Sequence, residues 1–166
     1  MTAITELEER LRRLEDLEAI RALKARYLSC CDRKDPQGVR ACFADGPVHI
    51  DYGVVGTFET ADALVQVFTE IGCHEHMIEM HHGVNPQIEI LEAQSARGSW
   101  NLHYFLINTK ERRLTQLAGV YEDEYRKLGG EWKISRTRFV ATSTLSGSYA
   151  SGGATLLFAG RPAAVA

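Results

Sequence analysis

Apolar side chains recur at Ile4, Leu7, Leu11, Leu14, Leu17, Ile20, Leu23 and Tyr27, the three-and-four spacing of one helix face. Charged residues fill the opposite face, and a break is expected near Asp16. This amphipathic helix should end before "DRKDP", where Asp35 can cap a second helix and Pro36 suits its first position. That short helix, "PQGVRACFA", stops at "DGP". "VHIDYGVVGTFE" then alternates around two glycines and reads as a short strand pair. Thr60 can cap a third helix, "ADALVQVFTEI", closed by Gly72. From residue 81 the period changes to that of strands, expected at about 81–91, 95–109, 114–127 and 132–144. The turns between them, "EAQS", "KERR" and "LGGE", have hairpin lengths. Three helices followed by an antiparallel meander is an α+β pattern, with helices on one face of a curved sheet.

Composition narrows the partners. A chain of 166 residues with 45% hydrophobic and 25% charged residues builds one ordinary domain. Net charge is -3 with both signs scattered, so no basic stripe invites a nucleic acid. No apolar run approaches a membrane span, and the charged, helical N-terminus is unlike a signal peptide. Cys30, Cys31, Cys42 and Cys73 lack a metal-knuckle spacing and read as reduced, mostly buried thiols of a cytoplasmic protein.

Candidate chemistry centres on "MIEMHHGVNPQIEI". On a strand His81 and Asn85 face one side while His82 and Val84 face the other, so one histidine of the adjacent pair points inward. A lone inward histidine is more often a hydrogen-bonded core residue than a catalyst. Its company here is Asp32 at the end of the first helix, with Tyr27 and with Tyr52 of "HIDY". An aspartate that accepts from one imidazole nitrogen raises the basicity of the other, which suits proton abstraction beside a carbonyl. Arg138, with Tyr121 on the adjacent strand, can stabilise a developing negative charge. Trp100 and His103 are further candidates for the lining, with packing the equal alternative for each. His74, Glu75 and His76 offer a small ligand cluster, but there is no HExxH spacing, and loop or surface histidines are the preferred reading. No metal is expected. No organic cofactor is expected either, because no glycine-rich phosphate loop follows a strand.

The order of elements and residues resembles the SnoaL-like branch of the NTF2-like superfamily, over roughly residues 10–145. The blocks that carry the resemblance are "LEDLEAIRALKARYLSCCDRKDPQGVRACFAD", "VGTFETADALVQVF", "MHHGVN" and "AGVYEDEYRKLGGEWKISRTRF". It implies an α+β cone, three N-terminal helices packed on a strongly curved mixed, largely antiparallel β-sheet. The cone would be a single domain over residues 1–145. The Gly/Ala-rich tail, 146–166, is expected to be either a mobile end or a strap across the pocket or a subunit interface, held by Leu156, Leu157 and Phe158. Members are commonly dimers or trimers, so a homodimer or homotrimer is implied.

Two enzymes of that family are similar in motif, scytalone dehydratase and hexachlorocyclohexane dehydrochlorinase. The resemblance maps their catalytic pair onto Asp32 and His81, and a carbonyl-polarising tyrosine of the dehydratase onto Tyr52. An arginine of the dehydrochlorinase falls at Arg138 or Arg136. The implied function is a cofactor-independent lyase of the dehydratase type acting on a small apolar or aromatic cyclic compound. Cys31, Gly119, Tyr121 and Tyr27 depart from the residues those enzymes carry, so the dyad is kept and the specificity-determining lining is not. A ketosteroid-isomerase-like alternative would use Asp51 and Tyr27, and a non-catalytic alternative is a ligand-binding or assembly role like that of a dioxygenase β subunit.

Overall fold

The computed structural model describes residues 3–150 and the backbone of 153–159. Helix α1 (Ala3–Asp32) is one continuous rod. The break expected at Asp16 does not occur, because no Gly or Pro interrupts the segment and the Asp16 carboxylate is satisfied from across the fold. It accepts from Lys127 Nζ at 2.6 Å and from the Trp132 indole at 2.8 Å. Only the second half of α1 joins the core, through Ile20, Leu23, Tyr27 and Leu28. Ile4, Leu7, Leu11 and Leu14 continue the same stripe but are 55–70% exposed.

The end of α1 is built for a purpose. Lys34 N–H bonds to Cys31 O and Asp35 N–H to Cys30 O, and Lys34 itself lies at φ 58°. This is a Schellman stop with lysine where glycine is favoured. Asp35 then caps α2 (Pro36–Ala41) by accepting from Gly38 N–H, and Thr60 caps α3 (Ala61–Ile71) by accepting from Ala63 N–H. Both caps satisfy helix N–H groups that have no intrahelical acceptor.

The sheet comprises β1 (His49–Asp51), β2 (Thr57–Phe58), β3 (Met77–Glu92), β4 (Ser95–Asn108), β5 (Arg113–Leu128), β6 (Glu131–Ser148) and β7 (Gly153–Ala159). The strand order is β2-β1-β6-β5-β4-β3. Among the described strands β1 pairs with β6 in parallel, extended by a single parallel bridge between Phe43 and Ile134, and the β3 to β6 run is the expected meander. β3 begins four residues earlier than its pattern suggested, at Met77. Register shifts at Val84/Gln87, Ala118/Gly119 and Glu124/Tyr125 mark bulges, the device that bends long strands around a core. The free edge of β6 is shared: β1 takes residues 136–138 and β7 takes 143–148. Part of the tail is therefore a strand, while the side chains of Leu156, Leu157 and Phe158 lie outside the described residues. No helix among the described residues is long and apolar enough to cross a membrane.

Helix α1 lies against β3 at Gly83. A Cβ there would come within 2.5 Å of Leu28 Cδ1, so the absence of a side chain lets the helix settle on the strand. Beneath, Lys24 and Asp123 form a fully buried ion pair at 2.8 Å. Asp123 also accepts from the Tyr125 phenol and the Thr137 hydroxyl, both at 2.7 Å, so its lone pairs are well used. A charge in a core needs such partners to be tolerated.

Candidate active site

The helices and the concave side of the sheet enclose a cavity of about 290 Å³. Its walls are mostly apolar, with Val39, Leu64, Phe68, Met77, Leu102 and Leu117 from different elements. Polar groups gather at two places.

The first is where α1 ends against β3. Asp32, the last residue of α1, accepts from His81 Nδ1 at 2.7 Å. It also receives the His81 backbone N–H, at 3.1 Å to one oxygen and 3.3 Å to the other. An ionised carboxylate only accepts, so Nδ1 carries the imidazole proton and Nε2 is left as the ring's acceptor. Strand alternation places Met77, Glu79 and His81 on the cavity face and Ile78, Met80 and His82 on the exposed face. Tyr104 stands directly opposite His81 on β4, with the rings 4.7 Å apart. Its phenol donates to Glu79 Oε1 at 2.6 Å, and the other side of Glu79 is ion-paired with Lys34.

The second polar place lies on the β1 side. The phenol oxygens of Tyr27 and Tyr52 are 2.8 Å apart, and Tyr121 packs edge-on against Tyr52. Lys24 Nζ lies 3.5 Å from the Tyr121 ring centroid, on the wall behind. Burial drives the pKa of Tyr27, Tyr52 and Tyr121 upward, so all three remain neutral phenols. Burial, with the nearby Asp32 charge, does the same to Tyr104. The Cys31 thiol, also in the wall, is pushed by burial up to about 12 and stays protonated. Burial lowers the pKa of Lys24 against the opposing pull of Asp123.

The cavity thus brings together His81, Tyr27, Tyr52 and Tyr121, with Asp32 behind His81, and it leaves out other residues that the sequence suggested. Asn85 is exposed and outside the lining. The Asn85–Pro86 pair opposes the single residue Trp100 across a bulge, with Asn85 at φ 52°, so the parity that linked it to His81 is lost there. Trp100 is a core residue whose indole donates to the Tyr125 phenol at 2.9 Å. His103 is exposed and stacks on His82 across the outer face. Arg138 and Arg136 share the exposed side of β6 and pair with Glu122 and Glu124, while Phe139 faces the cavity. Asp51 sits on the outer side of β1, accepting from Gly53 N–H and facing Arg138, so the isomerase alternative has its base outside the cavity.

Glu79, Lys34, Tyr104 and Lys24 went unread in the sequence. Extending the alternation backward from His81 through Glu79 to Met77 would have found the first. Lys24 interrupts the core stripe Ile20, Leu23, Tyr27, itself a sign of a buried ion pair. In the "CHEH" loop, His74 bonds to Glu70 O at 2.7 Å and stacks on His76.

Comparison with known proteins adds a family and a fold. Residues 12–138 match the family model of the SnoaL-like domain. A structure from Novosphingobium aromaticivorans, assigned provisionally as a scytalone dehydratase, is 23% identical with a TM-score of 0.75, covering 93% of this chain and 97% of that one. A type 2 hexachlorocyclohexane dehydrochlorinase is 19% identical with a TM-score of 0.72, covering 93% and 99%. The type 3 dehydrochlorinase of Novosphingobium barchaimii is 18% identical with a TM-score of 0.71, covering 92% and 99%. At these identities the likeness to solved structures is one of fold.

Proposed function

The chain belongs to the SnoaL-like domain family, and on that premise we propose that it is a cofactor-independent lyase carrying out a dehydratase-type elimination. Its substrate is a small, largely apolar ring compound bearing a carbonyl. The observation that carries this reading is the 2.7 Å contact between His81 Nδ1 and Asp32 Oδ1 at the wall of an apolar cavity of about 290 Å³. His81 Nε2 removes a proton from the carbon next to the carbonyl, and Asp32 holds the tautomer and stabilises the imidazolium that results.

Charge then develops on the carbonyl oxygen. In the Tyr27–Tyr52 pair one phenol donates to the other, and the second can turn its proton from the Thr137 side chain behind it to a substrate oxygen. Neutral phenols held in an apolar wall suit that task, since a fixed donor is worth more away from water. Tyr121 supports the pair by edge contact. On the outer face, the exposed Ile78, Met80, Val84 and Leu145 support association into a homodimer or homotrimer. Four free thiols support a reducing, cytoplasmic setting.

The test is α-proton exchange, which needs no leaving group. Cyclohexanone in D₂O, followed by proton NMR, should lose its α-protons faster with the protein than in buffer. Replacing His81 by Ala should abolish the acceleration, by about 10²–10⁴ in rate. Equal exchange with and without protein at saturating ketone would overturn the proposal.

A further inference from the structure

A charged pair is an expensive thing to keep in the wall of an apolar cavity. Glu79 and Lys34 are such a pair, with side chains 11% and 20% exposed. Lys34 also occupies a left-handed backbone position, φ 58°, where glycine is the favoured residue. Pinning α1 to β3 does not explain the pair, because Asp32 and His81 already join those two elements through three contacts two residues away.

What the pair does is fix the hydrogen-bonding character of one end of the cavity. The Tyr104 proton is committed to Glu79 Oε1 at 2.6 Å, and Lys34 engages the other oxygen. The phenol oxygen of Tyr104 and the carboxylate of Glu79 therefore present lone pairs beside the dyad. At the Tyr27–Tyr52 end the groups on offer are phenols, whose protons can turn from each other, Cys31 or Thr137 to a ligand oxygen. Tyr52 follows β1 and Glu79 lies on β3, strands at opposite sides of the sheet. The cavity has a donor end and an acceptor end, with apolar walls between them.

We infer that Glu79 and Tyr104, held by Lys34, select ligands that carry a hydroxyl on the ring carbon β to the carbonyl. The hydroxyl donates to the Glu79–Tyr104 oxygens while the carbonyl accepts from the Tyr27–Tyr52 pair. A ring with a halogen or methyl at the same place turns a group without a proton toward a carboxylate, and loses the bond. This rests on the proposed ring-ketone ligand and names the leaving group as that hydroxyl. It departs as water when His81 Nε2 hands it the proton taken from the α-carbon and the C–O bond breaks as the C=C bond forms.

The experiment is a binding titration by fluorescence or ligand-observed NMR with 3-hydroxycyclohexanone and 3-methylcyclohexanone, rings that differ by the hydroxyl alone. The full chain should bind the hydroxy ketone about tenfold or more tightly than the methyl ketone, as a bond to a charged group predicts. Tyr104→Phe should narrow that ratio. The double variant Lys34→Gly with Glu79→Met leaves no unpaired charge and relieves the left-handed backbone, and it should bring the ratio close to one. A ratio unchanged in the double variant, or absent in the unmodified protein, would overturn the inference. The ratio should persist in His81→Ala, because it does not depend on proton transfer. An inactive dyad with an intact ratio therefore sinks only the lyase reading, and an active dyad without the ratio sinks only this one. Failure to bind either ring would sink both.

Discussion

Replacing Asp32 by Asn tests the dyad with the least disturbance to its shape. The amide oxygen can still accept from His81, so the imidazole keeps a partner at the end of α1, but the negative charge is gone. The carboxylate lies 2.7 Å from Nδ1, which puts the two charge centres about 4 Å apart once His81 is protonated. At an effective dielectric of about 20 that attraction is worth about 4 kcal/mol. Both side chains keep some solvent contact, 14% for His81 and 26% for Asp32, which trims the figure to about 3 kcal/mol. At 1.36 kcal/mol per tenfold, the imidazolium intermediate should be lost to the extent of about 10²–10³ in rate. The assay is cyclohexanone α-proton exchange in D₂O with circular dichroism as the folding control. A folded Asp32→Asn protein that exchanges within threefold of the unmodified rate would refute the electrostatic role of Asp32.

Two stability measurements probe the surrounding shell. Lys24→Met strands Asp123 with only two hydroxyl donors and should cost about 3–5 kcal/mol, roughly 6 °C or more in Tm. The double variant with Asp123→Asn should recover most of that, and a single variant that loses less than about 1 kcal/mol would show the pair to be dispensable. The second concerns alkali. Cys31 has a folded pKa raised from 9.0 to about 12, so the folded state keeps a proton that the unfolded chain releases. Its contribution to stability is whole below pH 9 and is lost as pH rises toward about 12, at about 1.4 kcal/mol per unit. Urea unfolding of the unmodified protein and Cys31→Ala should give a stability difference that shrinks above pH 9, and a constant difference would contradict the burial of the thiol.

Legibility in the sequence followed regularity. The three helices were readable because each has a periodic face and, for α2 and α3, a capping side chain at the expected place. Asp32 and His81 were readable because a helix end and an undisturbed stretch of strand deliver them. Asn85 failed because alternation holds only while the ladder is regular, and two residues face one at that bulge. Arg138 failed for a simpler reason: Phe139 takes the inward parity on β6. Glu79 was missed because a strand's first residues carry no turn signal, and β7 because glycine and alanine leave little pattern to read. Lys24 and Asp123 come together over 99 positions of chain, a pairing that no local pattern encodes.

The position of Asp32 at the tip of a thirty-residue helix has an electrostatic consequence of its own. Aligned peptide dipoles leave the C-terminal end of α1 with a partial negative charge, and the last turn contains no basic residue to answer it. The cations that meet this end, Arg33 and Lys34, arrive from the stop that follows the helix, and Arg33 donates to Ser29 Oγ at 2.6 Å in the last turn. A cation held at this end is favoured by the macrodipole by about 0.3–1 kcal/mol. That attraction comes from the backbone of the helix itself, so side-chain replacement at Asp32 leaves it in place.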